Sequence, residues 1–238
     1  MEPLLLTVST ATRLASIAVT RGESLLGEVA LDPPGTQSDF LLPVIADLLT
    51  RLELKLEEFD CFAAVHGPGA FTGLRVGIAT IKGLALALNK PVIGVSSLQS
   101  LAMQVPDVAA QVYTLIDARK KEVYAGCYNW ESGLPHPVCA ERVIDPQQLL
   151  SEISGEALFV GDGSIAYRTL IVRQLGSRAR FAPSSANMLR AGSAAMLALV
   201  KFEADELLSA ASLNPVYIRP SDAELNKRET APDGAIEG

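Results

Sequence analysis

Apolar and polar residues alternate along the first half of the chain in a pattern that predicts a mixed α/β unit. Short apolar runs bounded by turn residues indicate strands, and a longer segment introduced by Ser38-Asp39, a suitable N-cap, indicates a helix. Pro43 is expected in or just past the first turn of that helix, where a missing N–H costs little. In chain order, the predicted elements are strands at 4–9, 15–20 and 25–31, a helix at 40–49, a strand at 61–65, a helix at 72–89, a strand at 91–94 and a short helix capped by Ser96-Ser97.

The second half of the chain repeats this order less cleanly. It has predicted strands at 112–117, 122–128 and 138–144, a helix at 146–153, a strand at 157–160 and helices at 165–175 and 184–203. The order β-β-β-α-β-α therefore occurs twice, which is the outline of two-lobed α/β proteins such as actin, hexokinase and Hsp70. We expect an N-terminal, partner-binding lobe at 1–105, a C-terminal lobe at 106–220 and a disordered tail at 221–238.

The composition disfavours several classes of function. The chain has 238 residues and a net charge of −7, so it lacks the basic surface with which a single chain grips a nucleic acid backbone. No apolar run approaches the ~20 residues of a membrane span, and the N-terminus lacks the basic region of a secretory signal. Three cysteines without C-x-x-C spacing indicate a reducing, cytoplasmic compartment. His66 and His136 have no His partner at helical spacing, so we expect no metal site.

Two predicted hairpins lie where enzymes of this two-lobed type bind ATP. In such enzymes the first strand of each lobe ends in an Asp that organises Mg²⁺, and a glycine-rich turn approaches the phosphates. Here the first strand ends in Ser9, and the second hairpin keeps Asp117 but continues with three basic residues at 119–121. We therefore expect a degenerate ATP site with no catalytic residue and no cofactor. Asp117 and Arg119 are the weak candidates for binding a ligand in the cleft, and a local ion pair between them is the alternative.

The glycine-rich stretch GPGAFTGLRVG at 67–77 opens the helix at 72–89. It lacks the Lys-Ser/Thr end of a phosphate-binding P-loop. At about 100° per residue, one smooth helix face collects Gly73, Gly77, Thr80, Gly83 and Ala87. Glycine inside a helix costs up to ~1 kcal/mol of stability relative to alanine, so we expect the glycines on this face to serve a packing function. Close packing within the chain and close packing against another protein both fit.

The preceding helix favours a protein interface, because it is apolar on nearly all sides while a helix at the edge of a monomer should keep one polar face. The predicted partner interface therefore combines both helices. It comprises Leu41, Leu42, Ile45 and Leu49 from the first helix and Gly73, Val76, Gly77, Thr80, Gly83 and Ala87 from the second.

Five motifs in order make the chain similar to a known family. They are GPGAFTGLRVG at 67–77, VSSL at 95–98, IDARKKEVYA at 116–125, VGDG at 160–163 and PVYIR at 215–219. On these motifs the chain resembles the TsaB (YeaZ) family, a subunit of the bacterial tRNA threonylcarbamoyladenosine machinery, over most of its length. It departs from the family at Ser9, where an Asp is common, and at Gln37, where a His often stands.

The resemblance implies a non-catalytic scaffold with the two-lobed fold and a degenerate ATP site. It implies that the N-terminal helices bind the catalytic subunit TsaD, that the ATPase TsaE joins the assembly, and that a similar face can form homodimers. Transfer RNA, modified at the adenosine next to the anticodon, would be contacted only through the complex. Two other classes stay open: a small-molecule kinase of the same superfamily, and a glycoprotease-like peptidase, which two isolated histidines disfavour.

Overall fold

The computed structural model describes residues 2–32, 37–105 and 109–219, so the predicted tail at 221–238 lies outside the described residues. The strands are β1 (Leu4–Ser9), β2 (Ala15–Arg21), β3 (Ser24–Leu31), β4 (Cys61–Gly67), β5 (Val92–Ser96), β6 (Gln111–Arg119), β7 (Glu122–Glu131), β8 (Leu134–Pro137), β9 (Arg142–Ile144), β10 (Ala157–Val160) and β11 (Ala179–Phe181). The α-helices are α1 (Gln37–Arg51), α2 (Phe71–Leu88), α3 (Ser97–Ala102), α4 (Pro146–Ser151), α5 (Asp162–Ala166), α6 (Arg168–Leu175) and α7 (Ala191–Glu203).

The chain forms two sheets that share one topology. The strand order is β3-β2-β1-β4-β5 in the first sheet and β8-β7-β6-β10-β11 in the second. Strand β1 pairs antiparallel with β2 and parallel with β4, and β6 in the same way pairs antiparallel with β7 and parallel with β10. The duplicated two-lobed α/β fold predicted from the sequence is therefore confirmed.

Strand β1 is buried along its whole length, because helices cover both faces of the first sheet. Alternate side chains point to opposite faces of a strand. Leu6 and Val8 join the apolar cluster that α1 and α2 complete. Leu5 joins a second cluster on the other face, together with Leu101 of α3 and Ala194 of α7.

The third strand of the second sheet is interrupted. The sequence predicts it at 138–144, whereas β8 pairs with the end of β7 and β9 pairs with its beginning. The intervening residues 138–141 leave the ladder, apart from the Val138 N–H, which donates to the Cys127 carbonyl at 2.8 Å. The sequence also gives no sign of the three-residue strand β11, because so short an edge strand has no room for an alternating pattern.

The two lobes exchange helices. All of residues 106–220 were expected in the C-terminal lobe, but α7 packs across β1, β2, β4 and β5 of the first sheet. In the opposite direction, α3 follows the first sheet along the chain and packs on β6 and β7 of the second. Helices α3 and α7 therefore each pack on the sheet formed by the other half of the sequence, and the lobe bounds 1–105 and 106–220 stay a prediction.

A buried carboxylate holds the start of α7 against the first sheet. Glu28 of β3 accepts hydrogen bonds from the Arg190 guanidinium, the Gly192 N–H and the Ser16 hydroxyl, at 2.6, 3.0 and 2.9 Å. Burial alone would raise the pKa of Glu28, but these hydrogen bonds and the Arg190 charge outweigh it, so the pKa lies below its usual value of 4.5. The carboxylate also compensates the positive end of the α7 dipole.

Helix α1 begins earlier than the sequence predicts. It includes Gln37, so Pro43 lies inside the helix and not in its first turn. A proline there has no N–H for the carbonyl four residues before it, which ordinarily costs about 3 kcal/mol. The proline is exposed on the side of α1 away from the sheet.

The segment after α7 returns along the first lobe and ends at the second. Val92 and Leu208 form an antiparallel bridge, and the Lys82 ammonium donates to the Leu213 carbonyl at 3.0 Å. Farther along, the Arg219 guanidinium donates to Glu122 on β7 at 2.9 Å. Residues 208–219, the C-terminal strap, therefore connect α2 with the β6–β7 hairpin.

Candidate partner-binding face and interlobe cleft

Helices α1 and α2 pack against one another and cover one face of the first sheet. The inward side of α2 consists of the large apolar residues Ile78 and Ile81, together with Ala85. Each of these recurs three or four positions after the last, which is the spacing of a single helix face. The opposite side of each helix carries its exposed residues.

Three predicted interface residues of α1 belong instead to the interior of the lobe. Leu41, Ile45 and Leu49 are 1%, 2% and 5% exposed and pack in the same cluster as the strands of the first sheet. They cannot contact a partner in this fold, so their assignment to the interface is corrected. The nearly all-apolar composition of α1 misled the prediction, because most of its apolar residues serve the lobe's own core.

Two of the predicted interface glycines are likewise explained within the chain. A Cβ atom at Gly73 would lie 2.1 Å from the Thr10 carbonyl oxygen, and one at Gly77 would lie 2.2 Å from the Thr10 hydroxyl. Thr10 is buried and donates its hydroxyl hydrogen to the Gly73 carbonyl at 2.7 Å. Gly73 and Gly77 therefore let α2 approach the end of β1, and their assignment to a partner interface is corrected.

The two glycines before α2 also serve close approaches within the chain. Gly67 has φ +129, and a Cβ there would lie 2.5 Å from the Val216 carbonyl oxygen in the C-terminal strap. A Cβ at Gly69 would lie 2.2 Å from the Ala11 carbonyl oxygen. Backbone contacts of this kind require glycine because nothing flexible can move aside. The glycine loop is thus a packing element and not a phosphate cradle.

The remaining five predicted residues lie on the outward side of the two helices. Leu42 is 53% exposed, and a Cβ atom added at Gly83 would have no neighbour within 4 Å among the described residues. Internal packing therefore gives no reason for a glycine in the middle of α2 at this position. We call this set the outer face: it comprises Leu42, Val76, Thr80, Gly83 and Ala87.

The outer face has further apolar members that the sequence did not single out. Leu86 is 68% exposed, and Ala79, Pro43 and Ala46 are exposed beside it or on α1. A helical wheel could have found Ala79, which is four residues before Gly83. The same wheel places Leu86 on this face, three residues after Gly83 and seven after Ala79.

Helix α2 is also long and apolar enough to cross a membrane, judged by length and composition alone. It has 18 residues with a mean hydropathy of 1.4, and a third of them are buried. One such helix is weak evidence, because a core helix of a soluble protein passes the same test. Among the described residues, α2 exposes Ala79, Gly83, Leu86 and Ala87 on its outward side.

The end of β1 has no charged group to organise a metal ion. Ser9 is fully buried and opposite Ser16 on β2. Its hydroxyl has no hydrogen-bond partner among the described residues. A neutral, enclosed hydroxyl cannot do the work of a carboxylate that faces the cleft.

The second hairpin brings Asp117 and Arg119 together. The Asp117 carboxylate accepts the Arg119 N–H at 2.9 Å, and the Arg119 guanidinium lies 3.5 Å from its other oxygen. Asp162, at the start of α5, accepts the Asp117 N–H at 3.0 Å. Burial raises the pKa of Asp162 above its usual value, and the Asp117 charge adds to the effect. Asp117 and Arg119 thus contact one another as the local ion pair that the sequence analysis gave as the alternative to a ligand-binding role.

A cavity of about 580 Å³ lies where this hairpin faces the first lobe. It is lined by the β1–β2 turn, the starts of α1 and α2, and Arg119. Gln37 lines it too and donates from its side-chain amide to the Thr12 carbonyl at 3.2 Å. Thr12, Thr72 and Arg13 add further polar side chains. The cleft is therefore open, with polar side chains on part of a largely apolar wall, and it borders the outer face at Val76.

His66, the residue before the glycine-rich stretch, is half-buried near the end of β4. Burial, together with the nearby Lys201 charge, lowers its pKa to about 4. A Cβ atom at Gly94 would lie 2.6 Å from the imidazole Nδ1, so the ring is enclosed by β5. Within residues 2–32, 37–105 and 109–219 no group of three or more His, Cys, Asp or Glu side chains is placed to hold a metal ion.

Comparison with known proteins gives consistent matches. The profile of the family described as TsaD, tRNA N6-adenosine threonylcarbamoyltransferase, matches residues 37–227. The tRNA threonylcarbamoyladenosine biosynthesis protein TsaB of Escherichia coli K12 is 34% identical over 172 residues, which are 70% of this chain and 74% of the relative. The protein of the same description from Haemophilus influenzae is 30% identical over 233 residues, which are 90% of this chain and 93% of the relative.

A solved structure agrees with the sequence matches. YeaZ from Pseudomonas aeruginosa superposes with a TM-score of 0.79 at 30% identity, covering 90% of this chain and 99% of that chain. The two-lobed architecture is therefore shared over nearly the whole length of both chains.

Proposed function

Because the chain belongs to the TsaB (YeaZ) family of tRNA threonylcarbamoyladenosine biosynthesis proteins, we propose that it is a non-catalytic subunit of that pathway. In this proposal it binds a TsaD-type threonylcarbamoyltransferase and acts as its scaffold and activator, in the cytoplasm. The modified residue is the adenosine next to the anticodon of the tRNA, which is reached through the complex and not by this chain alone.

One observation carries the proposal: the outer face of α1 and α2 is apolar, and its central residue is a glycine without an internal purpose. Gly73 and Gly77 admit Thr10, whereas a Cβ at Gly83 would meet nothing among the described residues. A helix glycine that costs ~1 kcal/mol and serves no internal contact favours close approach by a second protein. Small residues on a helix surface allow backbones to come near one another.

The cleft supports a non-catalytic role. Strand β1 ends in the buried Ser9, and the turn that would approach phosphates carries basic side chains in place of glycine. The Asp117 carboxylate is hydrogen-bonded and ion-paired to Arg119. Strand β1 of the other lobe contains no carboxylate that could bind Mg²⁺ together with Asp117. Asp117 and Arg119 are thus structural in this proposal, and hydrolysis of ATP belongs to another subunit.

The assembly we propose has one further member and one competing state. A TsaE-type ATPase joins the pair formed by this chain and the TsaD-type subunit, which holds the reaction centre. In the absence of the transferase, two copies of this chain associate through the same outer face. Both states bury Leu42, Thr80 and Gly83, so they exclude one another.

The test is size-exclusion chromatography of this chain with and without the matching TsaD-type subunit, followed by threonylcarbamoyl transfer to tRNA. We expect a complex of the two chains, transfer by the complex together with the TsaE-type ATPase, and no transfer by this chain alone. Transfer by the isolated chain would refute the scaffold role. Calorimetry with Mg-ATP provides the contrast with a small-molecule kinase, which requires micromolar binding by the isolated chain.

A further inference from the structure

The β6–β7 turn has a backbone that its residues disfavour. Arg119, Lys120 and Lys121 have φ angles of +62, +53 and +64. Two-residue hairpin turns with both central residues at positive φ normally use Asn-Gly, Asp-Gly or Gly-Gly. Here Lys120 and Lys121 occupy the two central positions between the paired residues Arg119 and Glu122. Retained backbone strain of this kind clusters at functional sites.

The turn carries three basic residues, of which Arg119 lines the interlobe cleft. All three residues are exposed, and the Arg119 side chain is 85% accessible. Two nearby carboxylates are already engaged: Asp117 with Arg119, and Glu122 with Arg219 of the strap. Lys121 makes no ion pair with any residue in the described part of the chain. Positive charge therefore remains at the tip of the turn, in a chain whose net charge is −7.

The surroundings of the turn suit a polyanion. Arg13 of the β1–β2 turn lines the same cavity as Arg119, and its side chain is 86% exposed, although it pairs with Asp32 at 2.8 Å. Thr72 and Asp32 line the same cavity, and the Thr12 hydroxyl in its wall donates to the Leu14 carbonyl at 3.3 Å. Arginine, lysine and hydroxyl side chains are the groups that proteins use on phosphate oxygens.

We infer that the β6–β7 turn is a contact for the RNA phosphate backbone, which positions tRNA on the complex formed by this chain. The inference rests on the proposed function, because the RNA is the substrate of the assembly. The apolar outer face is reserved for the protein partner, and the basic turn lies at the cleft beside it. The contact carries no sequence information: it adds affinity and fixes orientation.

The test replaces both lysines by the residues that the turn geometry prefers, Lys120→Asn with Lys121→Gly. This change removes two charges and relieves the strained backbone, so Tm should rise while RNA binding falls. If the lysines had only a structural role, their replacement would lower or raise Tm and RNA affinity together. The matched control is Arg173→Gln with Arg180→Gln, which removes two exposed charges from the outer side of the second lobe.

The assay is fluorescence anisotropy of an unmodified tRNA transcript, titrated with the complex of this chain and its TsaD-type partner at several salt concentrations. For the turn variant we expect about tenfold weaker binding at low salt and a log–log salt slope shallower by about 1, the share of Lys121, since each lost phosphate contact removes about one counterion. The control should stay within about twofold of wild type.

Three results would overturn the inference. The turn variant could bind tRNA as wild type does, or the control could lose as much affinity as the turn variant. Alternatively, the turn variant could lose affinity for the TsaD-type subunit instead of for tRNA, which would assign the turn to a protein contact. If wild-type chains form no complex, the proposed function fails, and the same comparison on the isolated chain at low salt then decides the RNA contact by itself.

Discussion

Two glycines of the same helix should respond to leucine in opposite ways. Gly83→Leu introduces a side chain into open space and replaces a poor helix former, so the free energy of unfolding should rise by about 0.5–1 kcal/mol. For a chain of this size that corresponds to a Tm increase of about 1–4 °C. At the same time the leucine blocks the outer face, and affinity for the TsaD-type subunit should fall by at least about tenfold.

Gly77→Leu should instead destabilise the monomer. Its Cβ would lie 2.2 Å from the Thr10 hydroxyl, so Thr10 must move and lose its hydrogen bond to the Gly73 carbonyl. An unsatisfied buried hydroxyl costs about 1–3 kcal/mol, and forcing a leucine into a packed site costs about 1–3 kcal/mol more. The free energy of unfolding should therefore fall by about 2–6 kcal/mol.

Urea unfolding followed by circular dichroism measures both stabilities, and calorimetry measures binding of the TsaD-type subunit. Gln174→Leu is the matched control, because it adds an exposed leucine to α6 of the second lobe and should leave binding unchanged. The reasoning is refuted if Gly83→Leu binds with wild-type affinity, or if Gly77→Leu is as stable as Gly83→Leu.

Further predictions concern the buried ionisable groups and the strap. The pKa of His66 is about 4 in the folded state and 6.5 in the unfolded chain. The contribution of the neutral imidazole to the free energy of unfolding is therefore complete above pH 6.5 and falls by about 3 kcal/mol as the pH drops to 4. His66→Gln should reduce this loss of stability at low pH, as measured by urea unfolding. Because the pKa of Glu28 is lowered in the folded state, its carboxylate stabilises the fold fully above pH 4.5, and this stabilisation is lost as the pH falls below that value. Glu28→Gln should therefore lower the free energy of unfolding by about 1–3 kcal/mol at pH 7 and leave it unchanged in strong acid, as measured by unfolding at both pH values. Tyr217→Ala should accelerate hydrogen exchange in the strap, whereas Tyr217→Phe, which keeps the ring contact with Phe71 at 4.8 Å and loses only the hydrogen bond from Arg75, should change it much less.

The repeated order of strands and helices made the fold predictable from the sequence. Elements such as β1, β10 and α2 have strong apolar patterns, and their observed bounds differ from the predicted ones by at most one residue. The exchange of α3 and α7 was not predictable, because an apolar helix carries no mark of which sheet it will cover. The interruption between β8 and β9 likewise depends on pairing with β7, which a local pattern does not encode.

Only part of the candidate interface could be predicted, because the sequence does not show which tertiary contacts each helix residue makes. Sequence spacing places Gly73, Gly77 and Gly83 on one helix face but cannot show what packs against each of them. Thr10, which covers the first two, lies more than sixty positions earlier in the chain. Of the three, Gly83 is the one left without an internal neighbour in the described part of the chain, and that distinction comes from the fold.

The most direct measurement is the protection of a cysteine placed on the outer face. In an Ala87→Cys variant, the new thiol and the native Cys139 are exposed, while Cys61 and Cys127 are buried, so alkylation monitored by mass spectrometry has an internal control within each molecule. We predict that the TsaD-type subunit slows alkylation at position 87 by at least about tenfold and leaves Cys139 unchanged. Unchanged alkylation at position 87 in a sample where the complex has formed would contradict the outer face as its binding site.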